Sequence, residues 1–393
     1  MTKNFDVVIV GASFSGMSLA LYLSKLAPSL KICIIDKNDI VKTNRKADGR
    51  NFAISKKSVE FFKLIGIFDK LKDLGGRIDD IKITDDKSPF YLYFQSHDQE
   101  NGSMGLVIEN HHIFNNLRDR LVLAKNITVL AKNSYDDIIL GENDDAQIIL
   151  SDKTVIKSKL LVACDGKNSQ IRQKFNIDYF EKFYLQDALV FNITHQKKHN
   201  NLAYERFFTS GPFAILPKED DFTSSIIWTE NEKYSQYILS LDEENFIDAL
   251  QKRVGEILGQ ISLASEIFKY SLSLVLAKKF YHKNLILLGD SAHAIHPIAG
   301  QGFNLTLGDI EYLSNLIAKS HNVGANINCE NLLKKYNKNR KIAAYKMVAA
   351  TDGLNKLFAN NILPVKFIRQ FGLGMVENLA PLKEFFIKNA GGK

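Results

Sequence analysis

The stretch that most restricts the fold lies at the amino end. Phe5 to Val10 is an apolar, strand-like run broken only by Asp6, and Gly11-Ala12-Ser13-Phe14-Ser15-Gly16 follows it. Met17 to Leu26 then reads as a helix, and Ile32 to Ile35 as a second strand ending at Asp36. Strand, glycine turn, helix and strand in this order predict a βαβ unit, because parallel neighbours need a crossover between them. Gly11 permits the tight turn, and Gly16 lets helix and strand approach closely. Free N–H groups and the dipole at the helix start favour an anion, so the turn predicts a dinucleotide pyrophosphate. Asp36 is placed to accept hydrogen bonds from ribose hydroxyls. Ser13 stands where this pattern has its middle glycine; serine is small, and its hydroxyl can itself bond phosphate.

A second stretch, Leu285 to Ile310, repeats the logic. Leu285 to Leu288 reads as a buried strand, and Gly289-Asp290 ends it with a carboxylate at its carboxyl end, where open α/β sheets bind ligands. A polar turn carries His293, His296 and Pro297. Gly300-Gln301-Gly302 lets backbone N–H groups come close to a ligand, and from Asn304 the chain reads as a helix. The three-residue spacing of His293 and His296 invites a metal reading, but the turn and Pro297 break the geometry and no third ligand appears; no metal is predicted.

Two smaller clusters belong with these. Arg50, in Asp48-Gly49-Arg50-Asn51, lies between a turn and a helix over Ser58 to Leu64, where a guanidinium can hold a phosphate bidentately or stand solvated. Leu160 to Cys164 reads as a buried strand ending in Asp165-Gly166, with Ser169 and Arg172 opening a helix. Asp165 and Arg172 read either as a nucleotide-facing carboxylate and cation or as a surface ion pair capping that helix.

Between the nucleotide stretches, Ile127 to Leu130, Ile138 to Leu140 and Gln147 to Leu150 predict a small antiparallel sheet. Ala188 to Thr194, Ala203 to Thr209, Phe213 to Leu216 and Ser224 to Thr229 read as strands, and Asp242 to Leu258 as an amphipathic helix. Asn331 to Asp352 is a further long helix. The segment beyond Gly353 alternates apolar residues with lysine and arginine, a pattern that suits a membrane surface, a partner subunit or packing on the first domain.

Composition narrows the class. With 393 residues, 45% hydrophobic and 24% charged, the chain can bury a core spread over two domains. Cys33, Cys164 and Cys329 lie far apart, so no disulfide framework or zinc site follows. The net charge of +7 comes mainly from scattered lysines without a basic stripe, which predicts no nucleic-acid partner. No signal peptide and no spanning helix are expected, which points to a cytoplasmic location.

The wording HPIAGQGFNL around His296, together with Gly289-Asp290, resembles the second FAD-binding motif of the class A flavoprotein monooxygenases. Within that group it is similar to the FAD-dependent aromatic-ring hydroxylases of ubiquinone biosynthesis, the 2-octaprenyl-6-methoxyphenol hydroxylase type. Tyr204-Glu205-Arg206-Phe207, Gly211 to Pro217, Trp228-Thr229, TDGLNKLF and APLKEFF extend the resemblance over nearly the whole chain. It implies an α/β fold: a Rossmann-like, GR2-type FAD-binding domain (residues 1–175 and 275–330), an inserted mixed or antiparallel β-sheet substrate domain (176–274) and a C-terminal helical region (331–393).

The resemblance also implies FAD as cofactor and NAD(P)H as a transient co-substrate. It implies O2 and a polyprenylated phenol as reactants, and hydroxylation through a flavin C4a-hydroperoxide. Gly11, Ser13, Gly16, Asp36, Arg50, Asn110, Asp165, Asp290, Pro297, Gly300, Gln301, Gly302 and Asn304 become cofactor contacts. Pro297 and the Gly300–Gly302 turn would lie beside the isoalloxazine. His296 is the nearest candidate for a substrate base, with a structural role beside Pro297 as its alternative. A ubiquinone-biosynthesis protein complex and peripheral contact with the inner face of the membrane are further expectations. A hydroxylase of a small soluble phenol, a flavin-dependent reductase and a non-catalytic scaffold remain open alternatives.

Overall fold

A computed structural model describes residues 2–86, 88–95, 103–141, 145–296 and 301–359. Its first layer is an eight-stranded sheet with the spatial order Tyr281–His282, Leu285–Leu287, Val155–Ala163, Thr2–Val10, Ile32–Asp36 and Ile127–Ala131. The last five of these run parallel, with Val7 to Val10 registered against Leu160 to Ala163 on one side and Ile32 to Ile35 on the other. Those runs are continuous apolar stretches with almost no exposure, as parallel strands covered on both faces require. The strands Tyr135–Ile139 and Ala146–Leu150 attach antiparallel to Val155–Ala163.

Over residues 127–150 the chain departs from the small antiparallel sheet expected from its sequence. The region forms no separate antiparallel sheet. Ile127–Ala131 joins the parallel sheet beside Ile32–Asp36, because its apolar residues are needed to extend the core at that edge. Only the two later strands form the antiparallel pair.

Helix Phe14–Leu26 packs against helices Asn110–Leu121 and Gln301–Asn322, burying Met17, Leu19, Leu23, Leu117, Ile310 and Leu313 in the first core. Burying each such side chain contributes about 1.5–3 kcal/mol before chain entropy is counted. A three-stranded antiparallel sheet, Asn51–Ser55, Gly105–Glu109 and Gly75–Ile78, bridges towards the second large sheet.

That second sheet has nine strands. Tyr179–His195, Thr223–Asn231, Gly211–Pro217 and Leu202–Phe208 form its antiparallel centre. Asp80–Asp85 adds in parallel beside Leu202–Phe208, a strand the sequence reading did not assign to this layer. One face buries Leu189, Phe191, Phe213, Ile226 and Trp228 against helices Glu232–Leu239 and Glu243–Val254, the latter capped by Asp242. The other face turns towards the first domain: Asn51 donates to Ser225 Oγ at 2.8 Å, and Asn192 donates to Glu109 at 3.2 Å. Helix Glu330–Ala359 packs on helix Gln301–Asn322 and reaches the nine-stranded sheet on the face turned towards the first domain, where Phe358 stacks on Phe207 at 3.9 Å. Among the described residues no helix is long and apolar enough to cross a membrane. The apolar segment from Ile362 onward lies outside the described residues.

Candidate functional site

The first glycine turn has the geometry its spacing predicts. Gly11 adopts φ +101°, and a Cβ there would stand 2.4 Å from the Cys164 carbonyl oxygen. A Cβ on Gly16 would lie 1.9 Å from the Gly11 carbonyl oxygen, so both positions are closed to any side chain. Asp36 braces the turn: its carboxylate accepts from Ala12 N at 2.7 Å and from Asn38 N at 2.8 Å. Ser13 is the N-cap of helix Phe14–Leu26 yet makes no capping bond; its hydroxyl lies 3.2 Å from Ser15 Oγ and the residue is exposed. The N–H groups of this helix start therefore face outward without a side-chain acceptor, as an anion site requires.

The other nucleotide-type motifs converge on this turn. Gly289, at φ +65°, packs so closely that a Cβ on it would meet Thr306 at 3.1 Å and Ser15 at 3.3 Å. Asp290 follows in a short 3-10 turn, not in the strand itself. It is exposed to solvent while crowded by protein, as a group at the floor of an open cleft would be. That crowding raises its carboxyl above the usual range, against the pull of His293, Arg50 and Lys167. Phe14 and Phe52 both stack on Phe303, at 4.2 and 4.5 Å, and lock the two glycine turns to the strand after Arg50. Asn304 accepts from Ser58 Oγ at 2.7 Å and donates to Ala53 O at 3.2 Å. Gln301 and Gly302 open the helix and are half-buried; Pro297 and Gly300 lie outside the described residues.

Arg50 and Asn110 meet on one carboxylate that the sequence reading passed over. Asp48 accepts from Arg50 Nη2 at 2.6 Å, from Asn110 Nδ2 at 2.9 Å and from Arg45 at 3.3 Å. Those partners lower its pKa although burial pushes it up. Its signal was present, an acid within two residues of an arginine after a turn glycine.

Asp165 and Arg172 follow neither reading in full. Asp165 caps the helix through Ile171 N at 3.1 Å, but Arg172 is not its partner. Arg172 is buried and donates to Ser291 O and Lys167 O, each at 2.8 Å, so it pins the Gly289 turn to the Asp165 turn. The second Asp165 carboxylate oxygen is buried without a partner among the described residues. An outward-facing helix start, an orphaned carboxylate oxygen and glycines closed to side chains make a cradle that fits FAD.

The two histidines separate. His293 bonds the buried Asp309 carboxylate, which also accepts from Arg340 Nε at 2.5 Å; this packing triad ties the strand His293–Ala294 to helices Gln301–Asn322 and Glu330–Ala359. His296 is fully buried, edge-on to Tyr184 at 4.9 Å, with no bond to either ring nitrogen among the described residues. Burial pushes its pKa down to about 4, so its imidazole is neutral at neutral pH.

Comparison with known proteins agrees with this geometry. A family model described as FAD binding domain matches residues 4–351. The chain is 33% identical over 391 residues to a protein named ubiquinone hydroxylase UbiL from Rhodospirillum rubrum, covering 99% of this chain and 90% of that one. It is 26% identical over 429 residues to a human protein named ubiquinone biosynthesis monooxygenase COQ6, mitochondrial, covering 97% and 91%. Among solved structures, p-nitrophenol 4-monooxygenase PnpA from Pseudomonas putida superposes with a TM-score of 0.80 at 15% identity, covering 98% of both chains. That likeness shows the shared fold.

Proposed function

Since the chain belongs to the FAD-binding-domain family and is an FAD-dependent hydroxylase, we propose that it hydroxylates the ring of a polyprenylated phenol in ubiquinone biosynthesis, using NAD(P)H and O2. The full-length likeness to the ubiquinone hydroxylases supports this reading most strongly. An apolar sheet face opposite the cradle supports it too: Ile83 and Ile227 are half-buried there and suit a ring with a hydrocarbon tail.

The bound cofactor would supply capture of O2 after reduction by NAD(P)H and delivery of one oxygen atom to the ring. The protein's part is to bind, orient and exclude water. The helix start at Ser13 to Gly16 and Arg50 would hold the pyrophosphate, and Asp36 would hold the adenosine ribose. Asn110 and Asp165 complete that wall. Asp290 would bond the ribityl chain, and Gln301, Gly302 and Asn304 at the helix start would present N–H donors to the flavin, with Pro297 and Gly300 in the turn beside it. His296, neutral in its buried pocket beside Tyr184, closes this side of the site against water. The inserted sheet of residues 176–274, extended by Asp80–Asp85, Tyr91–Phe94 and His293–Ala294 from the flanking segments, would work as the substrate layer over the discontinuous 1–175 and 275–330 unit. A cytoplasmic protein resting on the inner face of the membrane would meet such a lipid-like substrate.

The test is quinone profiling by mass spectrometry in a strain lacking this chain. One under-hydroxylated prenylphenol should accumulate and disappear on complementation. An unchanged quinone profile would sink the assignment.

A further inference from the structure

The face of the nine-stranded sheet that looks at the cradle carries the Glu205 carboxylate among apolar neighbours. Along Leu202–Phe208 the side chains alternate. Tyr204 and Phe208 pack with the helix-side core, and Arg206 reaches Val254 O on that side at 2.9 Å. Ala203 and Phe207 fall on the opposite, cradle-side face. Glu205 stands between them and shares their face. In register it lies across from Ala214 and beside Ile83, and Ala214 in turn lies across from Ile227. These are apolar neighbours, and Glu205 makes no hydrogen bond or ion pair among the described residues. A carboxyl held so is costly unless something binds it.

Burial pushes the Glu205 carboxyl up to about 7. Charged groups on the surrounding elements do not offset this. Lys82, registered with Tyr204, belongs to the helix-side face, as does Arg206. Asp85 lies on the same face one step beyond Ile83, registered with Phe207. On the long helix Glu330–Ala359, whose Phe358 stacks on Phe207 of this same face, Asp352 is paired with Lys182 at 2.5 Å and Lys356 at 3.0 Å.

We propose that Glu205 takes the hydroxyl of the phenolic substrate: its carboxylate accepts the hydrogen bond from the phenol O–H and receives that proton as the ring reacts. This rests on the reading of the chain as a phenol hydroxylase and names the group that positions and activates the ring. The step balances. The phenol O–H bond breaks, an O–H bond forms on Glu205, the pair keeps one negative charge and no electron changes owner. The phenolate oxygen then pushes electron density to the ortho and para carbons. The raised carboxyl narrows the gap to a phenol of pKa about 10 from roughly six pH units to roughly three, which makes it a better base than an ordinary glutamate.

The experiment titrates purified FAD-loaded protein with 2-allylphenol between pH 5.5 and 9, following the perturbation of flavin absorbance. The methyl ether of the same compound, which has no proton to give, is the control. For the phenol, affinity should rise about tenfold per pH unit up to about 7 and then level off, because the carboxylate form binds it. The ether should bind without that slope. Glu205→Gln should bind the phenol at least tenfold more weakly at pH 8 with a flat profile, while Glu205→Asp keeps the slope. Identical profiles for phenol and ether on the wild-type protein would overturn the proposal without any variant, as would a Glu205→Gln profile that matches wild type. A wild-type holoprotein that binds neither compound at any pH would overturn the phenol-hydroxylase reading, and the Glu205 assignment with it.

Discussion

Glu109 offers a direct test of what fixes the two domains to each other. It ends the strand Gly105–Glu109, and its carboxylate is met by His111 Nδ1 at 3.1 Å, by Asn192 Nδ2 at 3.2 Å and by the ammonium of Lys218. Asn192 and Lys218 belong to the nine-stranded layer, so this one carboxylate spans the junction. The side chains of Glu109 and Lys218 are only 11% and 12% exposed. His111, Lys218 and Asn192 hold the carboxyl down from 4.5 to about 2 against burial. At 1.36 kcal/mol per pH unit that is about 3 kcal/mol of folding stability. Because the folded pKa is the lower one, the contribution is complete at pH 7, above the unfolded value of 4.5. It fades as pH falls from 4.5 towards 2 and has lost about 0.8 kcal/mol by pH 4. The single tryptophan, Trp228, is buried in the same layer and reports its unfolding by fluorescence. Urea titrations of apo wild type and Glu109→Gln should differ by about 2–3 kcal/mol at pH 7, and the gap should narrow by about 0.8 kcal/mol at pH 4. Adding Lys218→Met to Glu109→Gln should recover part of the loss, because it removes the stranded ammonium. A gap that is the same at both pH values, or below about 0.5 kcal/mol at pH 7, would refute the reasoning.

Within the first turn two substitutions should behave oppositely. Gly16→Ala drives a methyl into the Gly11 carbonyl and should yield protein that cannot retain FAD. Ser13→Gly should change the FAD dissociation constant, followed by flavin fluorescence, less than about threefold, because among the described residues the exposed hydroxyl meets Ser15 Oγ at 3.2 Å and caps no backbone N–H. In the buried triad, Arg340→Met removes the guanidinium partner of the buried Asp309 carboxylate and should cost about 3–5 kcal/mol in a denaturant titration.

Much of the cradle was legible in sequence because its requirements are local. A turn that must reach φ +101° without a Cβ is written as Gly11, and a helix that must touch the preceding strand is written as Gly16. Runs such as Val7 to Val10 announce strands buried on both faces. The misplacement of Ile127–Ala131 has the opposite cause. A short apolar run carries no record of its neighbour, and only the empty edge beside Ile32–Asp36 chose its partner. Arg172 likewise shows only a charge and a spacing in sequence; its burial between the Lys167 and Ser291 carbonyls depends on a turn 119 residues further along the chain meeting it in space.

The glycine turns of the nucleotide cradle are thus written locally in the chain, since turn conformation and helix start are decided within a few consecutive residues. The tertiary structure alone decided that Asp48 gathers Arg50 and Asn110, that His293 serves packing while His296 is buried and neutral, and that Glu205 faces the cradle among apolar side chains. The physical reason is that solvation and partnership, which set a charged group's chemistry, belong to the surroundings assembled by distant parts of the chain.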